Sequence, residues 1–196
     1  MKIAIIGAGN MGGAIARGLA KGTIIETADI CVSNPSNTKL DALKAEFPDM
    51  QVTNSNVEAV QGADIVVLAV KPWFIEQVVK ELPFDAEKQM LVSVAAGISF
   101  EQFESWVGEQ MTIFRVIPNT AISQLESMTL IASHHATKEQ EQLMLGIFNE
   151  MGLAMLIPEK QMAATTALAS CGIAYVLKYI QAAMQAGIEL GVYPKD

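Results

Sequence analysis

A doubly wound α/β fold is what this 196-residue sequence predicts: a mostly parallel sheet covered on both faces by helices, followed by an all-helical unit. Three observations carry that expectation. The chain opens on the apolar run Ile3-Ala4-Ile5-Ile6 and drives straight into Gly7-Ala8-Gly9-Asn10-Met11-Gly12. Short apolar runs then alternate with helical periodicity for about 150 residues, the pattern of parallel strands joined by crossover helices. After Pro158 the alternation stops, and residues 162–190 are rich in small and apolar side chains and contain no proline.

The elements follow in order. Apolar runs bounded by turn residues predict strands over 3–6, 29–33, 51–53, 65–69, 90–94 and 112–116. Between them, helices are expected over 10–21, 38–46, 56–61, 75–81 and 100–106. Two further strands, over 128–132 and 154–157, flank a helix over 138–151. Ser99 with Gln102, and Thr137 with Gln140, have the spacing of capping boxes. Residues 162–190 read as one continuous helix with a bend at Gly172, and alanines such as Ala163, Ala167 and Ala174 permit close helix packing. Such a helix cannot bury both faces alone. The expected domains are 1–158 and 159–196.

Composition narrows the function. A chain that is 51% hydrophobic and 17% charged is globular, and a net charge of -8 disfavours a nucleic-acid partner. Cys31 and Cys171 are far apart in sequence, form no metal-spaced pair and read as reduced thiols of a cytoplasmic protein; no metal site is expected. Met1 leads directly into the first strand, so no leader is expected, and the uncharged stretch 161–177, followed by Lys178, Gln181 and Gln185, makes a poor membrane span.

The opening motif carries chemistry. Gly7 allows a tight strand-to-helix turn, Gly9 lets a pyrophosphate approach bare backbone, and Gly12 lets the helix pack on the strand. Free N–H groups at the helix start then face the phosphates. This is the fingerprint of a Rossmann-type dinucleotide fold. Where such folds place a ribose-binding carboxylate after the second strand, this chain has Asn34, with Ser33, Ser36 and Lys39 nearby. An amide does not repel a 2′-phosphate, so NADPH is favoured, with NADH as the alternative. The plain alternative is a polar turn capping the next helix through Ser36 or Asn37.

Three more segments fall at predicted carboxyl ends of strands: Ala69-Val70-Lys71-Pro72, Val94-Ala95-Ala96-Gly97, and Arg115-Val116-Ile117-Pro118-Asn119-Thr120. With the glycine motif, and with Thr166-Ala167-Leu168 and Ala174-Tyr175 further on, the chain resembles pyrroline-5-carboxylate reductase over essentially its whole length. The resemblance implies cofactor contacts from Ile6, Gly7, Ala8, Gly9, Asn10 and Met11, with Asn34 and Asn56 on the adenosine side. It further implies that Ala69, Val70, Lys71 and Pro72, then Ala95, Ala96 and Gly97, line the path to the nicotinamide, with Asn119 near the reacting ring. Each also has a local reading: Pro72 as a helix start, Gly97 as a turn, Asn119 as a turn residue. Substrate-side groups would be Glu159, Thr166, Ser170, Cys171 and Gly172.

Two departures from the family pattern stand out. Members carry Ser-Gly-Ser-Gly-Pro-Ala-Tyr where this chain has Ala169-Ser170-Cys171-Gly172-Ile173-Ala174-Tyr175. The later helices, with a Gly-Gly-Thr-Thr segment, are expected beyond Asp196, and with them the alcohol that donates to the imine. The implied reaction is hydride transfer to a cyclic C=N, giving L-proline. A protonated iminium needs no catalytic histidine, so His134 and His135, at a strand end, read as ordinary surface residues. Rival readings are a catalytically inactive NADP-binding oligomer partner and a β-hydroxyacid-dehydrogenase-like oxidoreductase using Lys178. That lysine follows Gly172 by six positions and lacks the second glycine of the rival pattern, so a solvated lysine is the better reading. The partners implied are a small-molecule substrate and a second copy of the chain through the C-terminal helices.

Overall fold

Eight strands form one sheet in a computed structural model that describes residues 1–193. The final three residues of the second expected domain lie outside the described residues. The strands are β1 (Ile3–Ile6), β2 (Ile30–Ser33), β3 (Gln51–Thr53), β4 (Ile65–Leu68), β5 (Met90–Ser93), β6 (Thr112–Ile117), β7 (Ser127–His134) and β8 (Gly152–Leu156). The helices are α1 (Asn10–Lys21), α2 (Asn37–Glu46), α3 (Asn56–Val60), α4 (Pro72–Glu81), α5 (Phe100–Val107), α6 (Lys138–Asn149), α7 (Met162–Ala169) and α8 (Gly172–Glu189). Short 3-10 turns occupy Thr27–Asp29, Thr120–Gln124 and Glu159–Gln161.

Strand order is β3-β2-β1-β4-β5-β6-β7-β8. The chain reverses its direction of growth between β1 and β4, and ligands in such sheets settle outside the carboxyl ends at that point. β1 and β4 are buried along their whole length because both faces are covered. Ile3 and Ile5 pack with Ile15, Leu19 and Met144 on one face, while Ala4 and Ile6 pack with Ile75, Phe103 and Met111 on the other.

β7 runs antiparallel to β6, and β8 runs parallel to β7. The reason is connection length. Pro118 to Glu126 holds only a 3-10 turn, too short for a crossover, so the chain returns antiparallel; α6 then supplies the crossover from β7 to β8. Both expected capping boxes form, at Ser99 and at Thr137.

The C-terminal region departs from expectation. In place of one bent helix there are two, separated at Ser170 and Cys171. The N–H groups of Ser170 and Cys171 both donate to the Thr166 carbonyl, ending α7 before Gly172 starts α8. Met162 anchors α7 in the sheet-face core at 2% exposure, whereas α8 buries no residue in the described chain.

Candidate dinucleotide-binding site

The glycine turn sits at the switch point, and each glycine has its own geometric reason. Gly7 has φ +104°, a conformation that side-chain-bearing residues avoid, and a Cβ there would meet the Ala69 carbonyl oxygen at 2.9 Å. A Cβ on Gly12 would lie 1.9 Å from the Gly7 carbonyl oxygen. Gly9 differs: a Cβ there meets nothing within 4 Å, so its bareness serves something outside the chain. It is the N-cap of α1 and offers no capping side chain, leaving the start of that helix open to an anion. These residues fit a dinucleotide diphosphate.

Asn34 has a structural task that the sequence did not disclose. Its Oδ1 accepts the Ala8 N–H at 3.1 Å, and its Nδ2 donates to both the carbonyl and the hydroxyl of Ser36 at 3.0 Å. The amide therefore ties the glycine turn to the start of α2, and Ser36 is held by that bond without capping the helix through its side chain. Ser33, beside Asn34 in sequence, has no hydroxyl to offer a phosphate: it is fully buried, and its hydroxyl donates to Asn56 Oδ1 at 2.7 Å. Its position as the last inward-facing residue of β2 is the reason. Asn56, at the start of α3, is half-buried on the same side. Lys39 remains exposed, beside an open cleft of about 690 Å³ also lined by Gly9, Asn10, Arg17 and Gln124.

The other expected cofactor segments reach the same sheet edge. Ala69 follows β4, and its N–H donates to the Ile6 carbonyl, joining the two switch-point strands. Lys71 is the N-cap of α4 and Pro72 its first residue, so the local role of Pro72 is real. Trp73 and Phe74 behind it are 72% and 50% exposed. Ala95 is buried after β5, while Ala96 and Gly97 are exposed, Gly97 with φ +82°. Asn119 caps the turn after β6, its Oδ1 accepting the Ala121 N–H at 3.0 Å. The turn reading and the site reading hold together at these positions: the caps fix the loops that rim the edge.

The substrate-side set divides. Thr166, Ser170, Cys171 and Gly172 gather at the α7–α8 break, where the Thr166 hydroxyl is used internally on the Met162 carbonyl. Glu159 is elsewhere engaged. Its Oε1 accepts Arg115 Nη1 at 2.5 Å and the Phe100 N–H at 2.8 Å, clamping the start of the helical region to α5 and β6. Lys178 is exposed and, among the described residues, bonds Gln181, as a solvated lysine would. His134 and His135 are not ordinary surface residues: both ring Nε2 atoms converge on Glu104. Arg115, Glu104 and the histidine pair are brought together from β6, α5, β7 and the turn after it, and no local sequence spacing announces them.

A bare glycine turn at the switch of a doubly wound sheet, rimmed by loops from β2, β4, β5 and β6, defines a nicotinamide-dinucleotide oxidoreductase. Comparisons with known proteins sharpen this. The family model described as NADP oxidoreductase coenzyme F420-dependent matches residues 2–97, and that described as pyrroline-5-carboxylate reductase dimerisation matches 159–196. A pyrroline-5-carboxylate reductase of Pseudomonas aeruginosa is 36% identical over 97% of this chain and 70% of the relative. Among solved structures, a Coxiella burnetii pyrroline-5-carboxylate reductase superposes with TM-score 0.89 at 32% identity, covering 99% of this chain and 73% of that one. A Plasmodium falciparum pyrroline carboxylate reductase with NADP bound has TM-score 0.87 at 29% identity, covering 100% and 72%. This chain belongs to the pyrroline-5-carboxylate reductase family. It spans 37% of the length of one relative, pyrroline-5-carboxylate reductase 1 of Dictyostelium discoideum.

Proposed function

We propose that this chain reduces 1-pyrroline-5-carboxylate to L-proline with NADPH as its preferred reductant, in the cytoplasm, as part of a homo-oligomer. The observation that carries the reading is the Gly7–Gly12 turn: one glycine strained, one packed against backbone, and one bare toward open space. When bound, the dinucleotide supplies the hydride that the imine carbon accepts. The chain's own residues bind and orient. The open start of α1 faces the diphosphate, Asn34 and Asn56 sit on the adenosine side, and Ala69–Pro72, Ala95–Gly97 and Asn119 rim the nicotinamide end. Holding two reactants in line is the larger part of such catalysis, since an iminium is already electrophilic.

The deciding experiment follows NADPH absorbance with pyrroline-5-carboxylate as substrate. Substrate-dependent oxidation is expected; tight NADPH binding without turnover would instead establish the inactive-binder reading. The preference for NADPH rests on Asn34 and Lys39. Asn34→Asp places a carboxylate beside the 2′-phosphate and removes the donors to Ser36. NADPH affinity is expected to fall by about tenfold or more, roughly 1.4 kcal/mol, with NADH affinity kept. Equal losses for both nucleotides would mean that Asn34 only shapes the turn.

The oligomer reading rests on α8. Tyr175, Tyr179, Ile180, Met184 and Ile188 are all exposed on a helix that buries nothing within its own chain, which marks an interaction surface. By length and composition an 18-residue window within Glu159–Glu189, of mean hydropathy 1.3, is also apolar enough to cross a membrane. The dimerisation family match over the same residues supports a partner chain over lipid. It also supports dividing the chain after residue 158. Sedimentation of the full chain is expected to give a dimer or larger species; a well-behaved monomer would remove this part of the proposal.

A further inference from the structure

We propose that Glu104, His134 and His135 form a binding site for a zinc-type divalent transition ion, at the sheet edge opposite the glycine turn. The three side chains come from two elements and a turn. His134 is the last residue of β7 and pairs with Ile113 near the start of β6. The cofactor loops follow the ends of β1, β4, β5 and β6, so the histidines sit at the other end of the parallel strands. Glu104 lies in the middle of α5, one turn beyond Phe100. The inference is independent of the reductase reading, because none of its residues touches the cofactor edge.

Neighbouring residues on a strand point to opposite faces. β7 obeys this up to its end: the Ser133 hydroxyl donates to Glu141 of α6, while His134 faces α5. A continued strand would send His135 to the α6 side with Ser133. It does not go there. His135 has φ +55°, a left-handed conformation uncommon outside glycine, and its ring lies 4.0 Å from that of His134, centroid to centroid. The Thr112 hydroxyl donates to the His135 carbonyl at 3.2 Å and holds the turned backbone. A backbone conformation of this kind persists where surrounding contacts enforce it, and such positions concentrate at functional sites.

The resulting geometry suits an ion. His134 Nε2 and His135 Nε2 lie 2.7 and 3.5 Å from the same oxygen, Glu104 Oε1, and one donor atom from each residue falls within 4.8 Å of the others. Donors about 2 Å from a tetrahedral ion sit about 3.4 Å apart, a spacing that lies between the two histidine–glutamate distances. Two imidazoles and one carboxylate are a borderline donor set that favours zinc, cobalt or nickel over calcium or magnesium. Phe100 stacks on His134 at 4.9 Å with the rings 16° apart, fixing the ring before any ion arrives. With three protein donors, the fourth position faces solvent beside the exposed His135. A bound ion would staple α5 to the end of β7.

The test uses the full chain, stripped with chelator and titrated with zinc chloride by calorimetry, with thermal melting alongside. One ion per chain, at micromolar affinity or tighter, and a melting temperature raised by zinc are expected. Glu104→Gln and His135→Asn each remove one donor; asparagine tolerates the left-handed backbone, so the turn survives. Each is expected to weaken zinc at least tenfold and to abolish the melting shift. Absence of uptake by the unaltered chain, or undiminished uptake by both variants, overturns the proposal. Cobalt gives a check that needs no variant: a nitrogen–oxygen ligand spectrum is expected, and a thiolate charge-transfer band would assign the ion to cysteine and overturn it.

Discussion

Gly12→Ala is expected to abolish measurable dinucleotide binding and to lower the melting temperature. Its new Cβ would lie 1.9 Å from the Gly7 carbonyl oxygen and 3.0 Å from Ala69 Cβ, and a backbone oxygen cannot swing aside as a side chain can. Overpacking of this kind costs about 1–3 kcal/mol and more where backbone must move. The movement displaces α1 from β1 and misplaces the turn that the diphosphate contacts; a binding loss of about 3 kcal/mol alone is more than a hundredfold. Gly9→Ala is the paired control. Its Cβ enters open space, so the melting temperature is expected to hold while NADPH affinity falls, as titration by calorimetry or fluorescence would show. If Gly9→Ala bound NADPH normally, the bare backbone at that position would have no ligand to serve.

Glu159→Ala is expected to destabilise the fold by about 3 kcal/mol, read by denaturant unfolding. The substitution leaves the Arg115 guanidinium, whose side chain is 11% exposed, without its carboxylate, and leaves the Phe100 N–H without its acceptor. Arg115 Nε is already buried with no partner among the described residues, so the remaining ion pair is its principal compensation. The Arg115 guanidinium also rests 5.8 Å above the Phe100 ring, so the loss extends into α5. A substrate-contact role predicts a different result: KM for pyrroline-5-carboxylate rises while stability stays. The clamp geometry favours the stability loss.

Local patterning made most of the sheet legible. β1 and β3 have the expected bounds, and the other strands differ by a few residues at their ends, where pairing with a neighbour extends or trims them, as at β7. Both capping boxes were readable because a cap is a contact over three residues. The glycine turn was readable for the same reason. Asn34 follows β2 beside the glycine turn; its bond to Ser36 is local, but its bond to Ala8 joins segments 26 residues apart whose approach depends on strand pairing. The clamp of Glu159 is not legible locally, because nothing near it in sequence shows Arg115, 44 residues away. The break at Ser170 and Cys171 is not legible in the sequence because neither residue is a strong helix breaker; the shared Thr166 carbonyl ends the helix there.

By itself, the sequence determined the doubly wound class, the order of its elements and the dinucleotide turn, because periodicity, caps and glycine conformation act over a few residues. Only the tertiary structure decided the reversed direction of β7 and β8, the clamp of Glu159 on Arg115, and the meeting of Glu104 with two histidines. Those side-chain contacts join residues 30 to 44 positions apart, the strand reversal and the turned backbone at His135 are set by pairing, and no local preference encodes which distant partner a side chain will meet.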